Sequence, residues 1–503
     1  MAVGDPRLTL VAIVFLGVAL RLSEVATRDL WEDEAYSVRI SESAVPDIVE
    51  RSISDTHPPL YYLVLHYWTA LFGDSEFAVR APSIIFGAAT IVAVYAVGRL
   101  LASAKAALLA ALLVALSTFH LNYSIEARMY SMLAFLATAS FYFFIVCRRN
   151  PSRRSSIGYF VASAALIYTH VYGLFILIAQ NAFVFTHLVV VQAGCEKWRS
   201  TYRSWAPAQL ALIVVFLPWL IVMIGQVGTE IEGRAAAKLD PEVFSEPSAR
   251  QVLDTLRFYA GGWAGLALLG VLGLLTLAPG LNLSSWRSRT RGTEHGPPPS
   301  ERQLGASVVL LSLWLASPIL LPFVASHLVT PIYHDRQTIA ASIGLFLLVA
   351  MVLAGMRRRL YFAASVCLLV LSSAYYLHRY QPFNVQEWQR AASFVDERGS
   401  PGDLLVFDSL TARDAFAYYS KREHLFGEFV AQGSTDPRIR TLAGTATQHP
   451  RAWLIVKPDF ITARSLRRVL TGDYEERFRR GPDPPFTGLQ LTLFASTSRA
   501  AGP

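Results

Sequence analysis

Four acids stand within six residues in Asp29-Leu30-Trp31-Glu32-Asp33-Glu34, directly after the first apolar run of the chain. Neighbouring carboxylates repel, which raises the pKa of at least one of Glu32, Asp33 and Glu34 and favours a general base. The Glu32-x-Glu34 spacing also admits a divalent cation, because hard cations take oxygen ligands. Three more charged sets follow the same pattern of lying at the end of an apolar run. Asp55 and His57 precede Pro58-Pro59, where a histidine is rigidly held as a donor or as a helix cap. Glu126 and Arg128 sit between two runs and read equally as a site or as a structural ion pair. His334, Asp335 and Arg336 open a late run, and an arginine there suits a phosphate or serves as an interfacial anchor.

Acids, arginines and histidine gathered at one membrane face answer one chemical demand. A lipid-phosphate donor keeps its tail in the bilayer and needs positive charge on its phosphate as that group leaves. The acceptor hydroxyl arrives from water and needs a carboxylate to take its proton. Phosphate-loop, dinucleotide, zinc and nucleophile-elbow motifs are absent from the sequence.

The elements that must position these groups are mostly membrane spans. The 503 residues are 53% hydrophobic and 16% charged, against about a quarter charged in soluble domains. Eleven apolar runs are placed near 8–26, 81–101, 106–121, 130–147, 157–171, 172–192, 206–225, 257–279, 304–325, 337–355 and 360–377. The run at 8–26 lacks a cleavage site and is read as a retained span. Basic islands (Arg148, Arg149, Arg153, Arg154; Arg287, Arg289, Arg291; Arg357, Arg358, Arg359) alternate with acidic ones. Loop 27–57 holds eight acids against three bases, and loop 226–256 holds six against three. Basic loops stay in the cytoplasm, so the amino terminus is expected inside and the acidic loops outside. The net charge of +8 follows from those loops and gives no reason to expect nucleic-acid binding. Cys147, Cys195 and Cys367 form no disulfide framework.

His57 to Gly73 is apolar but short, and is expected to lie on the outer leaflet as an interfacial helix. Segment 284–302, with Gly296-Pro297-Pro298-Pro299, reads as a flexible cytoplasmic loop. The composition changes near residue 381. A helix over 386–398, strands at 404–407, 453–456 and 489–495, and Thr411 and Thr462 as helix caps describe a small extracytoplasmic α/β domain. The expected organisation is an all-α polytopic membrane domain (1–380) followed by that α/β domain (381–503).

Several segments resemble family 39 glycosyltransferases of the GT-C fold. They are Trp31-Glu32-Asp33-Glu34-Ala35-Tyr36-Ser37, His57-Pro58-Pro59-Leu60-Tyr61-Tyr62, Phe77-Ala78-Val79-Arg80-Ala81-Pro82-Ser83, Glu126-Ala127-Arg128-Met129-Tyr130-Ser131 and Tyr168-Thr169-His170-Val171-Tyr172-Gly173. The resemblance implies an inverting single displacement from a polyprenyl-phosphate sugar, with Asp33 as base, Glu34 beside it in the motif, and His57 near the donor phosphate. It implies no obligatory metal cofactor. Two departures stand out. The late motif reads Tyr333-His334-Asp335-Arg336-Gln337, so Arg336 is kept without its usual aromatic neighbour. The carboxyl-terminal domain is not the β-trefoil-like module of eukaryotic protein mannosyltransferases, so the acceptor (glycan, lipid or protein) is left open. A transporter is the competing reading. It would place charges in mid-span and show inverted halves.

Overall fold

The computed structural model describes residues 5–25, 28–54, 57–191, 197–236, 246–277, 301–329, 331–356, 358–379, 386–431, 436–446, 448–457, 461–480 and 486–496. The expected loop 284–302 and Asp55 therefore lie outside the described residues, except for the start of a helix at Glu301.

The first part is helical throughout. It runs α1 (Pro6–Val25), α2 (Glu32–Ser41), α3 (Val45–Ser54), α4 (Leu60–Phe72), α5 (Glu76–Leu101), α6 (Ala104–Leu116), α7 (Thr118–Ser124) and α8 (Tyr130–Arg149). There follow α9 (Arg153–Thr169), α10 (Gly173–Val191), α11 (Lys197–Ala236), α12 (Ala249–Tyr259), α13 (Trp263–Leu277), α14 (Glu301–Leu328), α15 (Ile339–Gly355) and α16 (Arg359–Arg379). A helix occupies each of the eleven expected runs. Among the described residues seven helices are long and apolar enough to cross a membrane, and two more runs are pairs bent by 58° and 90°. The two remaining runs are held by α9, of 17 residues, and α10, whose described apolar stretch Gly173–Thr186 is shorter than a full span. The first bend falls at Ser117, which caps α7. The second falls at Gly261 and Gly262, whose φ values of 69° and 105° favour glycine. Within the acidic loop 27–57, residues 32–41 and 45–54 form α2 and α3.

Apolar faces turn outward, as a lipid-facing surface requires. Helix α1 exposes Leu8, Val11 and Phe15 while burying Ile13, Gly17, Arg21 and Val25. Inside the bundle, Gly98 lets α5 approach α6 so closely that a Cβ there would lie 2.8 Å from the Ala107 Cα. Helix α5 tolerates Pro82 because the carbonyl it deprives of a donor, that of Ala78, accepts from the Trp68 indole at 2.9 Å. This contact also fixes the short α4 against the start of α5.

The second part is an α/β domain. It contains α17 (Trp388–Arg398), β1 (Leu404–Phe407), α18 (Leu410–Tyr419), β2 (Gly427–Val430), α19 (Leu442–Ala446), β3 (Arg451–Val456), α20 (Ile461–Asp473), β4 (Tyr474–Arg480) and β5 (Gln490–Ser496). The sheet order is β2-β1-β3-β5-β4. Strand β1 pairs parallel with β2 and β3, and β5 pairs antiparallel with β3 and β4. Leu405 and Phe407 pack on one face with Trp388, Val395 and Phe416 of α17 and α18. Leu404 and Val406 pack on the other with Leu442 of α19 and Leu466 of α20. The two central strands read as continuous apolar runs because both faces are covered. Strands β2 and β4 escaped the sequence reading because they are edge strands with charged residues. Thr411 is not a cap: Ser409 caps α18, accepting from the Ala412 N–H, and Thr411 is the second residue of the helix. Thr462 likewise falls within α20.

Candidate active site

The site forms at one end of the bundle, where α1 and α9 end and α5, α8, α10 and α15 begin. Its centre is the first turn of α2. Successive residues on a helix point about 100° apart, so Glu32, Asp33 and Glu34 face three different environments.

Glu34 faces inward. Its carboxylate accepts from Arg80 Nε and Nη2, both at 2.8 Å, from the Ala127 N–H at 2.8 Å and from the Trp31 N–H at 3.2 Å. Arg80 spends its remaining donors on the carbonyls of Val25, Arg28 and Asp29. Both side chains are buried, at 3% and 1% exposure. Such a pair is stable only when each lone pair and proton is matched, as these are. It joins α5, the end of α1, the start of α2 and the 125–129 loop in one knot.

Asp33 faces the pocket. Its Oδ2 lies 2.9 Å from Arg336 Nη1, and 23% of its side chain stays accessible. Arg128 reaches the same turn, donating to Ser37 Oγ at 3.2 Å and to the Asp33 carbonyl at 3.4 Å. Burial pushes the Asp33 pKa up, but the charges of Arg128, Arg336 and Lys457 outweigh it and hold the carboxyl below its ordinary range. Asp33 is thus an ionised acceptor at neutral pH. Arg336 lies over the rings of Tyr130 (5.6 Å) and Trp31 (5.8 Å), within cation–π reach.

The loops that carry these cations are themselves held. Ser83 Oγ donates to the Arg128 carbonyl at 3.1 Å, and Ser131 Oγ donates to the Ser83 carbonyl at 2.9 Å. Tyr172 Oη donates to the Ile332 carbonyl at 2.9 Å, and Ser326 Oγ accepts from the Ile332 and Tyr333 N–H groups. Tyr333 bonds Thr255 at 2.8 Å and ties this loop to α12.

His57 is half-buried, with its ring 5.2 Å from that of His170. The His170 Nδ1 accepts from the Tyr172 N–H at 3.1 Å, which places the proton on Nε2. That Nε2 is buried without a hydrogen-bond partner among the described residues. His334 lies near enough to Arg336, His57 and Asp33 to feel their charges. Burial, then Arg336, holds its pKa below the ordinary histidine range. Glu126 lines a small cavity with Trp31, Glu34 and Arg80.

Glu32 faces away, toward the α/β domain, where Lys457 Nζ lies 2.7 Å and Thr411 Oγ1 2.9 Å from its Oε2. Glu32 and Glu34 are therefore bound to different cations on opposite sides of α2. Among the described residues no group of three or more His, Cys, Asp or Glu is gathered as metal ligands.

The structure thus places Asp33, Arg128, Arg336, His57, His334 and Glu126 at the same end of the bundle, near enough to feel one another's charges. Sequence reasoning did not select His170, Tyr130, Arg80 or Lys457 as site residues. The first three stand inside segments quoted for the family resemblance, but Lys457 is preceded by no signal beyond the end of a strand.

The sequence model described as dolichyl-phosphate-mannose-protein mannosyltransferase matches residues 56–222. The whole chain superposes on ArnT from Cupriavidus metallidurans bound to undecaprenyl phosphate, with a TM-score of 0.59 and 12% identity over 98% of this chain and 99% of that one. It also superposes on the Archaeoglobus fulgidus oligosaccharyltransferase in complex with Zn and sulfate, with a TM-score of 0.56 and 14% identity over 98% of this chain and 74% of that one. No curated protein sequence matches the chain. The fold is of the GT-C type, a multi-span membrane domain followed here by a small α/β domain. Within that class the chain resembles the family 39 glycosyltransferases, through its mannosyltransferase-like segment and its whole-length likeness to ArnT.

Proposed function

We propose that this protein is a membrane glycosyltransferase that moves a sugar (mannose, another hexose or a pentose) from a polyprenyl-phosphate donor to an acceptor hydroxyl on the extracytoplasmic side. The observation that carries the reading is Asp33 held against Arg336 and beside Arg128 at one end of the helical bundle. Asp33 takes the acceptor's proton as the acceptor oxygen bonds the anomeric carbon. The bond from that carbon to the phosphate oxygen breaks, and its electron pair leaves with the phosphate. The developing charge meets Arg128 and Arg336, with His57 and the His170 Nε2–H as further donors. One face is attacked as the other departs, so the sugar inverts.

The ground-state pair between Asp33 and Arg336 gives a reason for order. An arriving phosphate competes for Arg336 and loosens its hold on Asp33, which raises the basicity of Asp33 when the donor is present. Glu34 acts through position: its oxygens are committed to Arg80 and two backbone N–H groups. His334 and Glu126 are assigned to donor binding by their nearness to Arg336, and Asp55, just ahead of His57, is assigned to the donor side by its place in the chain. The acceptor is a glycan, a lipid or a protein.

The test is donor consumption by purified protein offered radiolabelled polyprenyl-phosphate mannose and other lipid-linked sugars, with Asp33→Asn alongside. Turnover by the wild type that vanishes in the variant supports the reading. Equal turnover removes Asp33 as the base.

A further inference from the structure

The α/β domain meets the catalytic turn at a particular place in its own fold. Strand β1 runs parallel to β2 on one side and to β3 on the other. Helix α18, which follows β1, covers one face, and α19, which precedes β3, covers the other. The carboxyl ends of β1 and β3 therefore diverge at a topological switch point, where open α/β sheets leave a crevice that ordinarily receives a ligand. Here three groups fill its rim: Asp408 just after β1, Thr411 in the first turn of α18, and Lys457 just after β3. The Lys457 N–H donates to Asp408 Oδ2 at 3.0 Å, which fixes the backbone that presents the ammonium.

The group that enters this crevice is Glu32, the residue before Asp33. It is 2% exposed and makes both of its described side-chain bonds with the α/β domain, to Lys457 and Thr411. Seen from α2, Glu34 is anchored in the membrane domain and Glu32 in the α/β domain, with Asp33 between two fixed points. We propose that Lys457 and Thr411 of the α/β domain are positioning residues for the reaction, holding the α2 turn by Glu32 so that Asp33 is aimed at the acceptor. This inference rests on the reading of Asp33 as the base.

Lys457 has a second effect through space, since its charge helps keep Asp33 ionised. The groups that face Asp33 are Arg128 from the α7–α8 loop, Arg336 and His334 ahead of α15, Tyr130 of α8, Lys457 after β3 and Glu32 on its own helix. Removing Lys457 takes away one of three cations, so the acid limb of the pH–rate profile moves to higher pH. A contact that only stabilised the fold would leave that limb in place.

The experiment uses the full chain in detergent with the labelled lipid-linked sugars above. Lys457→Met is expected to lower kcat about tenfold or more with the donor KM unchanged, as a misaimed catalytic group does, and to shift the acid limb upward. Lys457→Arg, which keeps the charge, restores most of kcat. Glu32→Gln/Lys457→Met leaves no buried unpaired charge, and its kcat is expected to match the worse single variant rather than the product of the two, because the pair acts as a unit. Should Lys457→Met alone fail to give monodisperse protein, the double variant is read in its place. Wild-type kcat in the variant that is read overturns the proposal, as does an unmoved acid limb in Lys457→Met. Asp33→Asn separates the two failures: turnover there, or none in the wild type with any donor, ends the base assignment and leaves the latch with nothing to position. Silence of Asp33→Asn with normal latch variants ends the latch alone.

Discussion

At the scale of single residues, three adjacent acids acquire three roles because a helix turns them apart. Asp33, the pocket-facing one, is held below the ordinary carboxylate range by Arg128, Arg336 and Lys457 acting against its burial. Catalysis that needs it ionised should persist through mildly acidic pH and fall only as the pH drops through that lowered value, which a kcat/KM profile reads directly. Loss of the base itself, Asp33→Asn, is expected to lower kcat by about 10²–10⁴-fold. Asp408 shows the opposite shift. Burial, then the charge of Glu32, pushes it up to about 7 against the pull of Lys457. A group that binds its proton more tightly when folded favours the folded state most below its unfolded pKa, and that advantage is lost as the pH rises toward 7. The Tm of the wild type should therefore fall across that window more than that of Asp408→Asn, measured by thermal unfolding in the same detergent. A flat difference between the two would place the titration elsewhere.

At the scale of elements, the site depends on short pieces clamped to long ones. Helix α2 has no apolar face strong enough to seat it alone; the Arg80 knot and the α/β domain hold it instead. Arg80→Met strands the Glu34 carboxylate in a buried place and should cost about 3–5 kcal/mol of stability, as broken buried pairs do. Arg80→Met/Glu34→Gln should recover part of that loss, which a comparison of Tm values tests. Packing of α5 on α6 rests on Gly98. Gly98→Leu forces the two backbones apart and should lower the yield of folded protein while leaving the chemistry of any survivors unchanged, since the pocket lies at the other end of α5.

At the scale of the whole molecule, the two parts are joined by specific polar contacts. Tyr419 Oη accepts from the Leu30 N–H at 2.6 Å and donates to Glu76 at 2.5 Å, Tyr418 bonds the Asp74 carbonyl, and the Gln389 N–H donates to Asp29. Such contacts predict coupled unfolding. Tyr419→Phe combined with Lys457→Met should separate one calorimetric transition into two. The alternation of loop charge predicts the sidedness of this assembly. With the native cysteines replaced, an impermeant maleimide applied to intact cells should label a cysteine at Glu397 and spare one at Arg154; the reverse pattern would invert the proposed topology.

The sequence by itself determined the membrane character, the approximate helix positions and the acidic turn, because hydropathy and adjacent charge are local properties read without knowing the fold. It also determined the central strands β1 and β3, whose apolar runs follow from cover on both faces, and the position of β5. The charged edge strands β2 and β4 carry no such signature, and the short helices α2 and α3 are held by partners far along the chain. The division of labour among Glu32, Asp33 and Glu34 could not be read from their spacing, since it depends on Lys457, Arg336 and Arg80, which stand hundreds of residues apart or on other helices. Only the tertiary structure brings a lysine at the end of β3 against the first turn of α2, because charge pairing across 425 positions is a consequence of how two domains dock.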